Sequence, residues 1–549
     1  MARALPIGVQ DFKEIRDSNL LYIDKSDMIS QILSEGAVAY LYTRPRRFGK
    51  SLNLSMLDAF FNIRYPKDNK WFDGLKVTEC IECQEHKNDY PVIYFDFKEL
   101  GVASTEMFDV DLKLKISDLY RQHKYILNSE ILDDLDKQYF KDVLEEKVEP
   151  LKLRKSISAL SRMLCEHHGK KVIVLFDEYD NPMLNAYGKE FHRNIIQFMK
   201  DIMTSVFKGN ESLEFGVITG ITQIAKESIF SGLNNLKVDN ILSTKYDEMF
   251  GFTNDEVKSI CTEYGHPEKY PEAKEWYDGY RFGDADIYNP WSVINYVDEG
   301  FKPQTYWAGT SGNSILNDLF ELSSHEMWSE FRRLAQRERI LYTVTPTITF
   351  QDIIANERNI YSMLVMSGYL TARVEADGRT FVSIPNGEMA NVFGNMIMNR
   401  MNVDSVYVGS LSKAFISGNE SAIEQYLYDM FASSAGNAML NDEHSYQAFI
   451  TGMLMYLFGK YSVKADFEEG NGRYDIRLER KYGDFPNVVI EIKRISTDSS
   501  DETATSVAEK ALEQIRDKDY LHGLKGNTLL YGIAFRNKKP TVLSERMVL

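Results

Sequence analysis

The chain has no apolar run near the roughly 20 residues needed to span a bilayer. Its first residues, MARALPIGVQDF, lack the apolar stretch of a signal peptide. With four cysteines in 549 residues, it has no material for a disulfide framework. Together these absences argue against a membrane-spanning helix and a disulfide-built scaffold, and lead us to expect a reducing, cytoplasmic setting. Positive charge is also short. The net charge is −17, which disfavours a surface that coats nucleic acid broadly. The deficit is uneven: from Asn441 to the end there are 16 Lys/Arg and 17 Asp/Glu, a net of −1, leaving −16 for the first 440 residues. Any contact with DNA or RNA meets its smallest electrostatic cost in the C-terminal part. No internal repeat is visible, and residues 300–435 carry no chemical signature.

What is present is an alternation of apolar runs and helical patterns over the first 240 residues. Strand candidates are Val38–Tyr42, Val92–Phe97, Val172–Phe176 and Phe215–Thr219, with helical patterns such as Val110–Tyr125 and Ile157–His167 between them. This alternation predicts an α/β fold with a mostly parallel sheet. From Tyr246 to Tyr296 helical segments alternate with aromatic-rich turns. Thr253 and Glu256 have capping-box spacing, and Pro290 suits a first helical turn. Residues 301–434 read as mainly helical, with a polar break at Ser417–Ser421. The end, from Ala435, reads helix, strand, strand, helix, strand, and Ser496–Ser506 reads as a polar loop.

The first chemical signal is TRPRRFGKS, Thr43–Ser51, between an apolar run and a helical pattern. A strand, a turn and then Gly-Lys-Ser build a triphosphate cradle from backbone N–H groups and the positive end of a helix. Lys50 would reach the β/γ-phosphates and Ser51 would place its hydroxyl on Mg²⁺. Arg44 stands where the first glycine of the general pattern would be. Arg46 and Arg47 flank the loop; they would contact phosphate, act on a neighbouring subunit, or pair with surface acids. The second signal is KVIVLFDEYD, Lys171–Asp180, a buried strand delivering carboxylates at its C-terminal end, the edge where open parallel sheets bind ligands. Asp177 would hold Mg²⁺ and Glu178 would orient or deprotonate the attacking water. A third strand, ending at Thr219, would lie beside it; its hydroxyl reads the γ-phosphate, positions water, or only marks a strand end.

These segments resemble the AAA-ATPase-like family of bacterial and archaeal proteins, relatives of the AAA+ and STAND NTPases. The resemblance rests on PIGVQDF, YIDKS, TRPRRFGKS, PVIYFDF, LFDEYD, TGITQIAKESIFSGLNNL, FGFT, WYDGYRFG and YNPWS, spread over residues 5–300. It implies a P-loop NTPase core over 1–240 that binds ATP, a helical lid over 241–300 and a helical region over 301–434. It carries the Walker roles onto Gly49, Lys50, Ser51, Asp177 and Glu178, and in that family arginine in place of the first glycine is usual. It assigns no role to WYDGYRFG or YNPWS, although Arg281 and Pro290 are candidates to approach the nucleotide. AAA+ relatives often work as rings and STAND relatives assemble on a trigger, so a homo-oligomer is implied without choosing its form.

A second cluster lies in GRYDIRL (Gly472–Leu478) and VVIEIKR (Val488–Arg494). Glu491 and Lys493 alternate with apolar residues and so project from one face of a strand. Asp475 begins the strand before. Two converging carboxylates hold Mg²⁺, which activates water beside a phosphodiester, and a lysine there stabilises developing charge. The spacing D-x15-E-x-K resembles the PD-(D/E)XK nuclease superfamily, with Tyr474 in place of the leading proline. Glu443, before a helical pattern, matches its upstream acidic residue. Gln514 and Tyr520 resemble the QxxxY helix at a longer spacing. The resemblance covers 435–549 and implies an α/β nuclease-like domain acting on nucleic acid, DNA foremost. The alternative is a half-solvated strand with an ion pair, or a fold retained for binding alone. Cys80, Cys83 and His86 form C-x2-C-x2-H, but with no fourth ligand at a plausible spacing zinc is set aside.

Overall fold

Each apolar run of the N-terminal part becomes a strand because it is buried on both faces. The computed structural model describes residues 2–98, 100, 104–223, 236–307, 323–335, 337–348, 350–400, 405–434, 443–454, 457, 461–469, 472–481, 483–495, 503–518 and 520–549. The strands are β1 (Ala39–Thr43), β2 (Val92–Asp96), β3 (Val172–Asp177), β4 (Leu213–Gly220) and β5 (Leu236–Asp239), in the order β2-β3-β4-β1-β5, all parallel. The first four match the predicted strands to within two residues. The fifth, LKVD, was not anticipated: it is a short, half-buried edge strand without a continuous apolar run. Most of TGITQIAKESIFSGLNNL, residues 224–235, lies outside the described residues.

Side-chain alternation divides the sheet. Val174 and Phe176 of β3 enter a core with Phe108, Leu112, Leu160, Met199 and Ile202, from helices Thr105–Gln122, Ser156–His168 and His192–Phe207. The opposite face receives the helix Lys50–Phe61; the Phe61 and Phe215 rings meet edge to face at 5.4 Å. Steps of two residues along β4 put Thr219 on the same face as Phe215, and steps along β3 put Asp177 opposite Val174 and Phe176. Topology thereby sends Thr219 and Asp177 toward the phosphate-loop helix.

The region after the sheet contains helices Asn254–Glu263, Tyr270–Tyr277 and Pro290–Asp298. It also contains a small antiparallel sheet, β6 (Phe252–Thr253), β7 (Tyr280–Phe282) and β8 (Ala285–Tyr288), where the sequence pattern predicts only aromatic-rich turns. The cause is the Gly283-Asp284 pair, which joins β7 to β8 as a two-residue hairpin with Gly283 at φ +48°. The capping box of Thr253 and Glu256 forms, and Pro290 opens its helix. Glu256 also accepts two of the three hydrogen bonds of the Lys25 ammonium (2.7 and 2.8 Å), the third going to the Glu248 carbonyl (2.8 Å), so YIDKS anchors this helix.

By contacts the chain falls into two compact units, one dominated by residues 1–302 and 341–382, the other by 323–340 and 383–549. Region 301–434 is thus shared between them. The first unit takes most of a second small sheet, β9 (Ile340–Leu341), β10 (Thr371–Val374) and β11 (Thr380–Ser383). In the second unit, helices Ser405–Ser417, Glu420–Ser434 and Glu443–Leu454 cover one face of a sheet ordered β12-β13-β14-β15-β16. Its strands are β12 (Tyr461–Glu469), β13 (Gly472–Arg480), β14 (Asn487–Ile495), β15 (Asn527–Arg536) and β16 (Lys539–Val548). Helix Ala504–Asp517 covers the other face and links β14 to β15, the one parallel pair, as a parallel crossover requires. β12 and β16 were not anticipated, because both are edge strands rich in charged residues. Of the expected loop Ser496–Ser506, residues 496–502 lie outside the described residues. The remainder starts a helix, capped by the Thr503 hydroxyl, which accepts from the Ser506 N–H at 3.2 Å.

Cys80 and Cys83 are joined by a disulfide, and the His86 ring stacks on Tyr90, its Nδ1 2.6 Å from the tyrosine hydroxyl. The pairing is between residues three apart and builds no framework, but it departs from the fully reduced chain expected of a reducing setting. Among the described residues, no helix is long and apolar enough to cross a membrane.

Candidate active sites

At the C-terminal edge of the first sheet, β1 runs into the phosphate loop. Gly49 caps the helix Lys50–Phe61 with φ +86°, a conformation glycine adopts without strain. Lys50 is buried, and its ammonium donates to the carbonyls of Arg44 and Pro45, both at 2.9 Å. Burial holds its proton affinity below the ordinary lysine range, opposed by the nearby carboxylates of Glu178, Asp177 and Asp180. Asp177 accepts from the Thr219 hydroxyl and from the Glu178 N–H (3.0 Å), and its other oxygen lies 3.5 Å from the Tyr94 hydroxyl. Glu178 turns the chain at φ +49°, and burial raises its proton affinity above that of an ordinary glutamate. Lys50, Asp177, Glu178 and Thr219 are therefore brought to one place. Ser51 occupies the first turn of the same helix, and Arg46 stands near enough to Lys50 to disfavour its charge.

Three residues of this edge have duties not apparent in the sequence. Asp180 accepts from the N–H groups of Ile221 and Thr222, each at 2.8 Å, tying the end of β4 to that of β3. Arg44 does not face the phosphate site. Its buried guanidinium pairs with Asp239 (2.6 Å), donates to the Tyr246 carbonyl (3.1 Å) and lies over the Phe250 and Phe282 rings. Arg47 has φ +69° and lies 4.3 Å over the Trp291 ring. Arg281 pairs with Asp284 and Asp286, and Pro290 serves as a helix opener. FGFT and WYDGYRFG grip the loop: the Gly251 N–H donates to the Phe48 carbonyl (3.1 Å), and the Phe48 ring packs on Tyr280 and Phe282.

In the second sheet, β13 and β14 pair from Leu478 to Ile476 and then part. Asp475 sits at the parting, four residues into β13 rather than at its start. Its carboxylate accepts the Ile492 N–H at 2.6 Å, replacing a ladder bond. Glu491 is buried; its Oε1 accepts from Lys493 (2.8 Å) and Gln514, and Gln514 also donates to the Tyr520 hydroxyl (3.1 Å). Burial, then the neighbouring Asp475 charge, pushes the Glu491 carboxyl up to about 7. Gln514 and Tyr520 thus meet the strand motif despite their longer spacing. Gln447, unforeseen, donates to the Asp475 carbonyl at 2.8 Å. Glu443 is exposed, opens its helix, and accepts the Arg494 N–H at 3.0 Å.

The donor set suits a hard divalent cation in part. The Glu491 Oε2 atom is buried without a hydrogen-bond partner, next to a second carboxylate, which is the condition a cation relieves. Glu443 does not close the set: among the described residues no group of three or more His, Cys, Asp or Glu is arranged to hold a metal.

Residues 6–230 match the family model of a predicted AAA-ATPase, and residues 441–545 match that of the PD-(D/E)XK nuclease superfamily. A protein of Azotobacter chroococcum mcd 1, described as an uncharacterized protein in the vnfD 5' region, is similar along its whole length. It is 24% identical over 559 residues, covering 98% of this chain and 98% of that one.

Proposed function

We propose that this chain, which joins a predicted AAA-ATPase domain to a PD-(D/E)XK nuclease superfamily domain, binds and hydrolyses ATP and uses that cycle to gate cleavage of nucleic acid. The observation that carries the ATP reading is the meeting of Lys50, Asp177, Glu178 and Thr219 at one sheet edge. Lys50 would leave the two carbonyls it now holds for the β/γ-phosphates. Ser51 and Asp177 would hold Mg²⁺, which shields phosphate charge. Glu178, with its raised proton affinity, takes a proton from the attacking water. Arg46 and Arg47 would contact the phosphates, and Thr219, whose hydroxyl donates to Asp177, would keep that carboxylate in place.

In the second domain Asp475 and Glu491, with Glu443 from outside, would hold Mg²⁺, which activates water. Lys493 balances charge on the scissile phosphate. DNA is the assigned polymer and the cytoplasm the assigned compartment, with defence against invading DNA or the handling of mobile elements as the setting. A homo-oligomer belongs to this reading on the resemblance to AAA+ and STAND NTPases alone. A second reading, in which the nuclease fold only binds nucleic acid or a protein partner under nucleotide control, draws support from the absence, among the described residues, of a group of three metal-ligating side chains.

One experiment separates the readings: plasmid is incubated with the full chain and Mg²⁺ or Mn²⁺, with and without ATP. ATP-dependent cleavage that disappears in Asp475→Ala and Lys493→Ala supports gating. Retardation of plasmid without cleavage supports the binding reading, and ATP hydrolysis with neither removes the nuclease role.

A further inference from the structure

YNPWS is the motif that Walker chemistry leaves unused, and its local geometry converges on one side chain. The Asn289 side chain is buried and accepts the Ser292 N–H at 3.3 Å, capping helix Pro290–Asp298. Pro290 fills the first helical position, where its fixed φ costs nothing. Cap and proline together set Trp291 in the first turn, with its ring face toward the phosphate loop.

Arg47 meets that face. Its guanidinium centre stands 4.3 Å from the ring centroid, within cation–π range. The residue pays for this position with a left-handed backbone, φ +69°, which a side chain with Cβ adopts only at a cost. Its charge is partly desolvated, and the carboxylate acting on it is Glu178. An arginine needed only for solubility would sit in water with an ordinary backbone. This one lies over an indole, within electrostatic reach of Glu178, the carboxylate assigned to water activation, and three residues before Lys50. Its neighbour Phe48 is held by the same region, through the Gly251 N–H and the rings of Tyr280 and Phe282.

We infer that Trp291 is a positioning residue for ATP hydrolysis: it holds the Arg47 guanidinium at the phosphate site, so that YNPWS completes the ATPase centre from within the same chain. The inference rests on the ATP reading above. An entering γ-phosphate competes with Glu178 for Arg47, and the indole face keeps the guanidinium from following either one away. Charge on the transferring phosphoryl oxygens then meets a preorganised cation, which lowers the barrier more than it strengthens ground-state binding.

The test uses the full chain with MgATP, a fluorescent ATP analogue, and the variants Trp291→Leu and Trp291→Phe. In Trp291→Leu, kcat is expected to fall about tenfold or more while KM and analogue affinity stay within about threefold, because the lost interaction matters in the transition state. Trp291→Phe restores most of the rate by returning an aromatic face. MgATP alters the tryptophan emission of the wild type, and that change is absent from Trp291→Phe. Should Trp291→Leu fail to fold, Arg47→Lys carries the same test: the charge stays, the planar face is lost, and kcat falls with KM kept. Wild-type turnover in these variants, or a loss confined to KM, overturns this inference alone. A wild-type chain that binds no analogue overturns the ATP reading as well.

Discussion

The guanidinium of Arg44 lies 2.6 Å from the Asp239 carboxylate, with both side chains buried. This pair ties the start of the phosphate loop to the end of the edge strand β5. It explains how the loop does without the first glycine of the general pattern: the arginine side chain leaves the phosphate side and becomes an internal strut. Asp239 is pushed toward protonation by burial and pulled back chiefly by Arg44, so each partner justifies the charge of the other.

Arg44→Gly, which restores the general P-loop pattern, is therefore expected to harm the protein. It leaves Asp239 buried without its partner, at a cost of about 3–5 kcal/mol. Denaturant unfolding of the first unit should show the loss. A variant as stable as the wild type would mean that the pair is dispensable and that the pattern, not the strut, governs the loop.

How much of this was legible depends on the range of the interaction. Val172–Asp177 was readable because a strand buried on both faces is apolar throughout, and its acidic end marks the ligand edge. The capping box of Thr253 and Glu256 was readable because it is closed within four residues. Asp475, Glu491 and Lys493 were readable as a spacing, and the structure adds Gln514 and Tyr520 to them. Asp239 was not readable as the partner of Arg44, because 195 residues separate them and LKVD has no apolar signature. Nor was the fate of helices Ser405–Ser417 and Glu420–Ser434, whose apolar faces fill the core of the C-terminal sheet through Leu411, Phe415, Leu427 and Phe431. A helix pattern announces a buried face without saying which sheet buries it.

Lys50→Ala and Glu178→Gln should separate binding from chemistry. Lys50→Ala removes the cation that reaches the phosphates and is expected to abolish nucleotide binding. Glu178→Gln keeps the shape and loses the base, so binding of a fluorescent ATP analogue persists while hydrolysis falls by about 10²-fold or more. Analogue titration and phosphate release on the same preparations report the two quantities. Equal analogue affinity in Lys50→Ala and wild type would refute the phosphate role of the loop.

Gly532 on β15 faces the helix Ala504–Asp517 so closely that an added Cβ would lie 2.1 Å from the Ala508 carbonyl oxygen and 3.0 Å from the Leu512 nitrogen. Both are backbone atoms and cannot step aside without shifting the helix that carries Gln514. Gly532→Ala should cost about 3 kcal/mol or more, at the upper end of overpacking effects. It should also depress any nuclease activity by displacing Gln514 from Glu491. Differential scanning calorimetry of the full chain checks the first effect. An unchanged transition would show that the helix is not seated on β15 as described.

Glu491 gives a pH dependence whose sign can be worked out. Its carboxyl is raised in the folded chain to about 7, first by burial and then by Asp475, against 4.5 for an ordinary glutamate. The folded state without metal therefore binds this proton more tightly than the unfolded chain does. Its stabilising contribution is complete below pH 4.5 and is lost as pH rises through about 7. A divalent cation needs the ionised form, so Mg²⁺ or Mn²⁺ binding should release up to one proton below pH 7. Affinity should then fall about tenfold per pH unit over that window. Asp475→Asn removes the neighbouring charge and should move the proton-linked window to lower pH while weakening the metal. Lys493→Met removes the ammonium that favours ionisation and should move it higher. Calorimetric titrations in two buffers of different ionisation enthalpy count the protons directly. Mn²⁺ affinity that stays level from pH 5 to pH 8 would show that Glu491 does not hold the metal.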